Sequence, residues 1–128
     1  MPFNQGLVTF LKAAGTAAGD NVKPDPLGPD AKLPAITYFM VSGPRVRSHS
    51  GGSNLVNGRY QLSCWDRGYQ VAKNLAQEVI DLLDGVSGTA GGKTIQSSFV
   101  DDETDDHEPE TGLRRVIVDV MIMHPQTE

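Results

Sequence analysis

The clearest periodicity in the chain runs through Ala72, Leu75, Ala76, Val79, Ile80 and Leu83, apolar residues spaced three and four apart. They share one face of an α-helix, while Lys73, Gln77, Glu78 and Asp81 fall mostly off it. Asp66 stands where an N-cap is wanted, and Gly85 sits just past the last apolar position, where a left-handed residue closes a helix. A shorter stripe of Leu7, Val8, Phe10 and Leu11 predicts a helix over residues 5–14, with Gly15 and Gly19 ending it.

Alternation with a period of two marks the strands. From Gly58 to Trp65, Tyr60, Leu62 and Cys64 point one way and Arg59, Gln61 and Ser63 the other, a half-buried strand. Leu113 to Met123 alternates Val116, Val118, Val120 and Ile122 with Arg115, Ile117, Asp119 and Met121. One face is wholly apolar and the other mixed, which predicts a central strand with one face under a helix. Leu33 to Val41 is rich in β-branched and aromatic residues, with Pro34 near its start, where a missing N–H costs least. A brief extended piece is expected at Asn21–Lys23, before Pro24, Pro26, Gly28 and Pro29 impose a loop, and a short strand at Thr94–Val100.

Three connections complete the reading. Ser42–Asn57, with Gly43, Pro44, Gly51 and Gly52, reads as a polar loop carrying Arg45, Arg47 and His49. Val86–Lys93 reads as a Gly-rich turn. Residues 101–112 read as an acidic loop, because Asp101, Asp102, Glu103, Asp105, Asp106, Glu108 and Glu110 repel one another. The order helix, strands, helix, strands predicts one α+β domain over residues 1–128. Two α-helices pack on one face of a mostly antiparallel β-sheet with long loops.

Charge sharpens this picture. The net charge is −5 over 128 residues, and that acidic stretch holds seven of the 16 acids; the other nine face 11 Lys and Arg. The acidity therefore belongs to one segment and not to the fold. No apolar run approaches the roughly 18–20 residues that cross a bilayer, and Met1-Pro2-Phe3-Asn4-Gln5 lacks the pattern of a secretory leader. With Cys64 as the single cysteine, no internal disulfide can form.

Catalysis finds no seat in the sequence. Ser87-Gly88-Thr89-Ala90-Gly91-Gly92-Lys93-Thr94 ends like a phosphate-binding loop, but Ser87 replaces the first glycine. A helix precedes it and a strand follows, the reverse of what phosphate binding needs. His49, His107 and His124 are scattered without metal-ligand spacing, and Cys64 reads as a core thiol. Trp65, Met121 and Met123 read as core or interface packing. Arg45, Arg47 and Arg59 are a weak phosphate-binding signal in an acidic chain. The best enzymatic arrangement is Asp119 meeting Asp101 across a sheet, as in a small metal-dependent nuclease. Neither a cofactor nor a metal is expected.

Three segments taken in order carry a resemblance: Leu33-Pro34-Ala35-Ile36-Thr37-Tyr38; then Arg59-Tyr60-Gln61-Leu62-Ser63-Cys64-Trp65, running into Gly68-Tyr69-Gln70-Val71-Ala72 and on to Leu82-Leu83-Asp84-Gly85; and last Glu110-Thr111-Gly112-Leu113-Arg114-Arg115-Val116-Ile117-Val118-Asp119. Together they resemble the tail-completion, or tail-terminator, family of tailed bacteriophages, related in fold to the minor tail protein U group. The resemblance covers roughly residues 20 to 124 and implies a non-enzymatic structural protein.

It further implies a homo-oligomeric ring, commonly a hexamer, that caps the head-proximal end of the tail tube and stops its polymerisation. The ring would present a surface to a head-connector or head-closure protein, and genomic DNA would pass its channel without specific binding. Such a protein is made in the host cytoplasm and ends in the virion at the head–tail junction, with no membrane partner. A head-closure subunit is the alternative in the same machinery. On this reading Arg45, Arg47, His49, Arg59, Asp101, Asp102, Glu103, Asp105 and Asp106 belong to interface or channel loops. The acidic residues either repel DNA in the channel or meet Arg45, Arg47 or Arg59 of a neighbouring subunit.

Overall fold

The computed structural model describes residues 3–25, 27–28, 32–43, 45–46, 55–90 and 93–125. Along the chain these form α1 (Phe3–Ala13), β1 (Val22–Pro24), β2 (Ala35–Ser42), β3 (Arg45–Val46), β4 (Leu55–Asp66), α2 (Tyr69–Leu83), β5 (Val86–Ala90), β6 (Lys93–Glu108) and β7 (Leu113–Pro125). Among the described residues the strands make one seven-stranded sheet in the order β1-β2-β4-β7-β6-β5, with β3 pairing β4 beyond the end of β2. Only β1–β2 is parallel, so the sheet is mixed but mostly antiparallel. The α+β architecture expected from the periodicities is the one found.

Its centre is built by the two strands with the strongest alternation. β4 and β7 pair from Leu55–Pro125 to Asp66–Arg114, bringing Tyr60, Leu62 and Cys64 beside Val120, Val118 and Val116 on one face. Both helices cover that face: Leu7 and Leu11 of α1 and Ala72, Leu75, Ala76, Val79 and Leu83 of α2 are fully buried in the same cluster. Burying a Leu or Val side chain is worth about 1.5–3 kcal/mol, so the apolar stripes of sheet and helices hold the fold together.

Four expectations are corrected. Six of the seven acids do not lie in a loop: Asp101–Glu108 continue β6, paired with β7 as far as Glu108–Leu113, and only residues 109–112, with Glu110, form the turn. Like charges tolerate a strand because successive side chains point to opposite faces, and each face supplies cations. Val86–Ala90 is a strand and not only a turn, paired in a hairpin with β6. Part of the expected loop Ser42–Asn57 is strand, since Arg45 and Val46 pair with Val56 and Leu55. Arg47 and His49 lie outside the described residues. The N-cap of α2 is Gly68, in extended conformation; Asp66 acts just upstream, its Oδ2 accepting the Gly68 N–H at 2.8 Å. Gly85 closes α2 as expected, at φ 72°.

Candidate functional site

The acidic half of β6 is where charge and exposed surface coincide, and its register decides where each carboxylate points. Val116, Val118 and Val120 face the helices, so their partners Asp105, Glu103 and Val100 do too. Lys73 of α2 meets them there: its Nζ lies 2.8 Å from Glu103 Oε2 and 3.0 Å from Asp105 Oδ1. Tyr69 Oη donates to Asp105 Oδ2 at 2.8 Å. The hydrogen bonds from Lys73 and Tyr69 hold Asp105 below the usual carboxylate range, and those to Glu103 and Asp105 hold Lys73 above the ordinary ammonium value.

The remaining acids face the uncovered side of the sheet. Asp106 bridges Arg115, whose guanidinium lies 5.0 Å from the centre of the Trp65 ring. Trp65 in turn donates from Nε1 to Thr37 Oγ1 at 2.9 Å, so a row runs from β2 to β6 across four strands. The Arg115 hydrogen bond lowers the Asp106 pKa, aided by the His107 N–H. Where the register shifts between Val100 and Asp102, Asp101 reaches back to Arg59 of β4 at 2.8 Å. Arg59 thus has a partner within its own chain. Asp119 pairs with Asp102 and not with Asp101, and its pKa is raised, first by desolvation and then by its acidic neighbours against a lowering by Arg59. Among the described residues no group of three or more His, Cys, Asp or Glu is placed to hold a metal ion.

Beyond Ser98 no strand continues β5, so among the described residues the outer edge of β6 is open from Val100 to Glu108. Side chains occupy several amides along it. Asp84 Oδ1 accepts the Val100 N–H at 2.9 Å, Asp102 Oδ1 that of Glu103 at 2.9 Å, and Asp106 Oδ1 that of His107 at 2.8 Å. An edge whose amides are taken by carboxylates resists adding a strand.

The opposite edge is of another kind. β1 ends at Pro24, level with Tyr38, leaving the outer edge of β2 open beyond it among the described residues. Phe39, Met40 and Val41 follow, 41–47% exposed. Sequence reasoning placed this stretch in a strand without marking it as surface. The signal available was an apolar run with no turn chemistry and no alternation at the end of an edge strand. Phe99, 52% exposed, lies on β6 opposite Met121.

Of the other residues that the sequence singles out, Cys64 and His124 are buried. Cys64 is buried, its thiol pushed up to about 12 by burial and by the charges of Glu103 and Glu78. His124 is buried, its Nε2 3.0 Å from Tyr60 Oη and its Nδ1 donating to the Pro125 carbonyl at 2.8 Å. His107 is exposed on β6. Ser87 and Gly88 lie in the β5–β6 hairpin, without the strand-to-helix turn that phosphate binding requires. A recess of ≈ 280 Å³ opens at the far end of the sheet between Leu27, Leu33, Leu113, Arg67 and Glu108.

A solved structure described as "Virion of native gene transfer agent (GTA) particle" contains a similar chain. It is 14% identical with a TM-score of 0.67, matched over 94% of this chain and 93% of that one. That likeness is one of fold. No curated protein sequence matches. The family model "Tail completion protein gp17" matches residues 6–124, nearly the whole chain and all three motif segments. The chain belongs to the tail completion protein gp17 family, a family of structural proteins of phage tail assembly.

Proposed function

We propose that this protein acts without catalysis, as a ring-shaped homo-oligomer, six subunits by analogy with its family, that caps the head-proximal end of a phage tail tube. It stops tube polymerisation there and offers its other surface to a head-connector or head-closure protein. It is made in the host cytoplasm and becomes part of the virion at the head–tail junction.

The observation that carries the reading is that the rims of the sheet expose groups of different kinds, Phe39, Met40 and Val41 on β2 and a row of carboxylates beside Phe99 on β6. Rims suit docking. A growing tube ends in unsatisfied interface surface, and a cap must match it on one side while differing on the other. The test is tube growth. Purified tail-tube protein, polymerising in vitro, gives a broad length distribution, and adding this protein is expected to shorten tubes and halt elongation at one end. Unchanged elongation, with binding to isolated connectors instead, would replace the cap by a head-closure subunit.

A further inference from the structure

The backbone along the open edge of β6 has a direction that alternation fixes. Successive residues of an antiparallel strand turn their N–H and C=O groups to opposite sides. Glu103 and His107 give their N–H groups to side chains and not to β7, so Asp105 between them faces outward too. Before the register shift, Val100 faces the same way. Three of these four amides are filled by carboxylates: Val100 by Asp84, Glu103 by Asp102 and His107 by Asp106. Asp105 leaves its own amide alone, because Lys73 and Tyr69 hold its two oxygens on the helix side. The shift between Val100 and Asp102 breaks the regular edge a second time.

The edge of β2 differs. Ile36 donates its N–H to the Asn21 carbonyl at 3.0 Å, and the Tyr38 carbonyl accepts the Asp25 N–H at 3.0 Å. These residues therefore turn their backbone groups toward β1. Met40 continues the same series past Pro24, where β1 ends. Three antiparallel steps separate β2 from β6, so the two strands run in opposite directions. A copy translated sideways sets its β2 antiparallel against β6. Repeated translation never closes, so the joined sheets run on as a filament.

We propose that Asp84, Asp102 and Asp106 guard the β6 edge: they form an inhibitory contact that keeps copies of this chain from joining β2 to β6 as one continuous sheet. An incoming carbonyl must first displace a carboxylate oxygen from each amide it needs. Subunits then associate through side-chain surfaces alone. The guard is independent of the capping reading, since a monomer and a ring both require that the sheet not extend.

The test removes the guard from the full chain and reads assembly by sedimentation velocity and electron microscopy, with circular dichroism showing that each variant folds. Asp102→Ala with Asp106→Ala frees the amides of Glu103 and His107. This variant is expected to form filaments, with assembly beginning at a concentration about tenfold or more below that of wild type, the effect of two backbone hydrogen bonds gained. Asp102→Asn with Asp106→Asn removes the same charges and the same Arg115 bridge, yet keeps an oxygen on each amide, and is expected to behave as wild type. Met40→Pro added to the alanine pair removes the N–H that β2 would donate, at a site where an edge strand accepts proline. It is expected to abolish the filaments.

Should the alanine pair fail to fold, Asp102→Ala alone stands in, because it leaves the bridge from Asp106 to Arg115 in place. A smaller shift in the same direction is then expected. Wild-type behaviour in the folded alanine variant would overturn the guard. Filaments in the asparagine variant would overturn it too, because charge and not amide occupancy would then protect the edge. Filaments that survive Met40→Pro would rule out β2 as the strand kept away.

Discussion

Asp106 and Asp119 occupy neighbouring strands, yet their surroundings shift them in opposite directions. The Arg115 hydrogen bond lowers Asp106, so its ionised form is favoured in the fold. Its contribution is present at neutral pH and is lost as pH falls through its lowered value, below the ordinary carboxylate value of about 3.9. Desolvation raises Asp119, so its ionised form is disfavoured, and the resulting penalty is present at neutral pH and relieved on acidification. Asp106→Asn is therefore expected to lower the urea midpoint at pH 7 and Asp119→Asn to raise it, with both differences shrinking toward pH 3. Differences of the same sign, or ones that grow in acid, would contradict these assignments. Cys64 gives a second check at this scale. Burial, with Glu103 and Glu78 nearby, keeps its thiol protonated to about 12. Iodoacetamide at pH 8 should leave the folded protein unmodified and alkylate it once urea unfolds it. Rapid alkylation of the native protein would place Cys64 outside the core.

At the level of elements, legibility followed from how much of each element's partnership is local. α2 and β7 bury one complete face, so their periodicities, 3.6 and 2, are written in their own residues. Leu75 is fully buried where α2 meets the sheet. Leu75→Ala is expected to cost about 2–5 kcal/mol, read as a lower urea midpoint with an unchanged slope. A loss below about 1 kcal/mol would mean that α2 packs loosely. The second half of β6 was not legible. Its acids read as a repelling loop because the groups that tame them, Lys73, Arg59 and Arg115, sit on α2, β4 and β7. Only the topology brings them near. Each bridge is partly exposed and screened by solvent, so β6 is held chiefly by its long pairing with β7. β5 was hidden by Gly88, a residue that reads as turn and here sits at φ 117° beside a register shift.

For the whole molecule, the ordered motifs carried more than any single element. Leu33–Tyr38, Arg59–Gly85 and Glu110–Asp119 map onto β2, onto β4 with α2, and onto the turn and start of β7. They span the centre of the sheet and the helix over it, the part of the fold whose pattern is carried most locally by the sequence. The surfaces were less legible, because an edge exists only once strands are ordered. Lys23 and Asp102 are far apart in sequence and become opposite rims only through the order β1-β2-β4-β7-β6. We propose that the subunit caps one end of a tail tube. Electron microscopy of isolated tail tubes incubated with the purified protein tests it most directly. Added ring-like density is expected at the head-proximal end alone. Bare tube ends at saturating protein, or density spread along the tube wall, would contradict it.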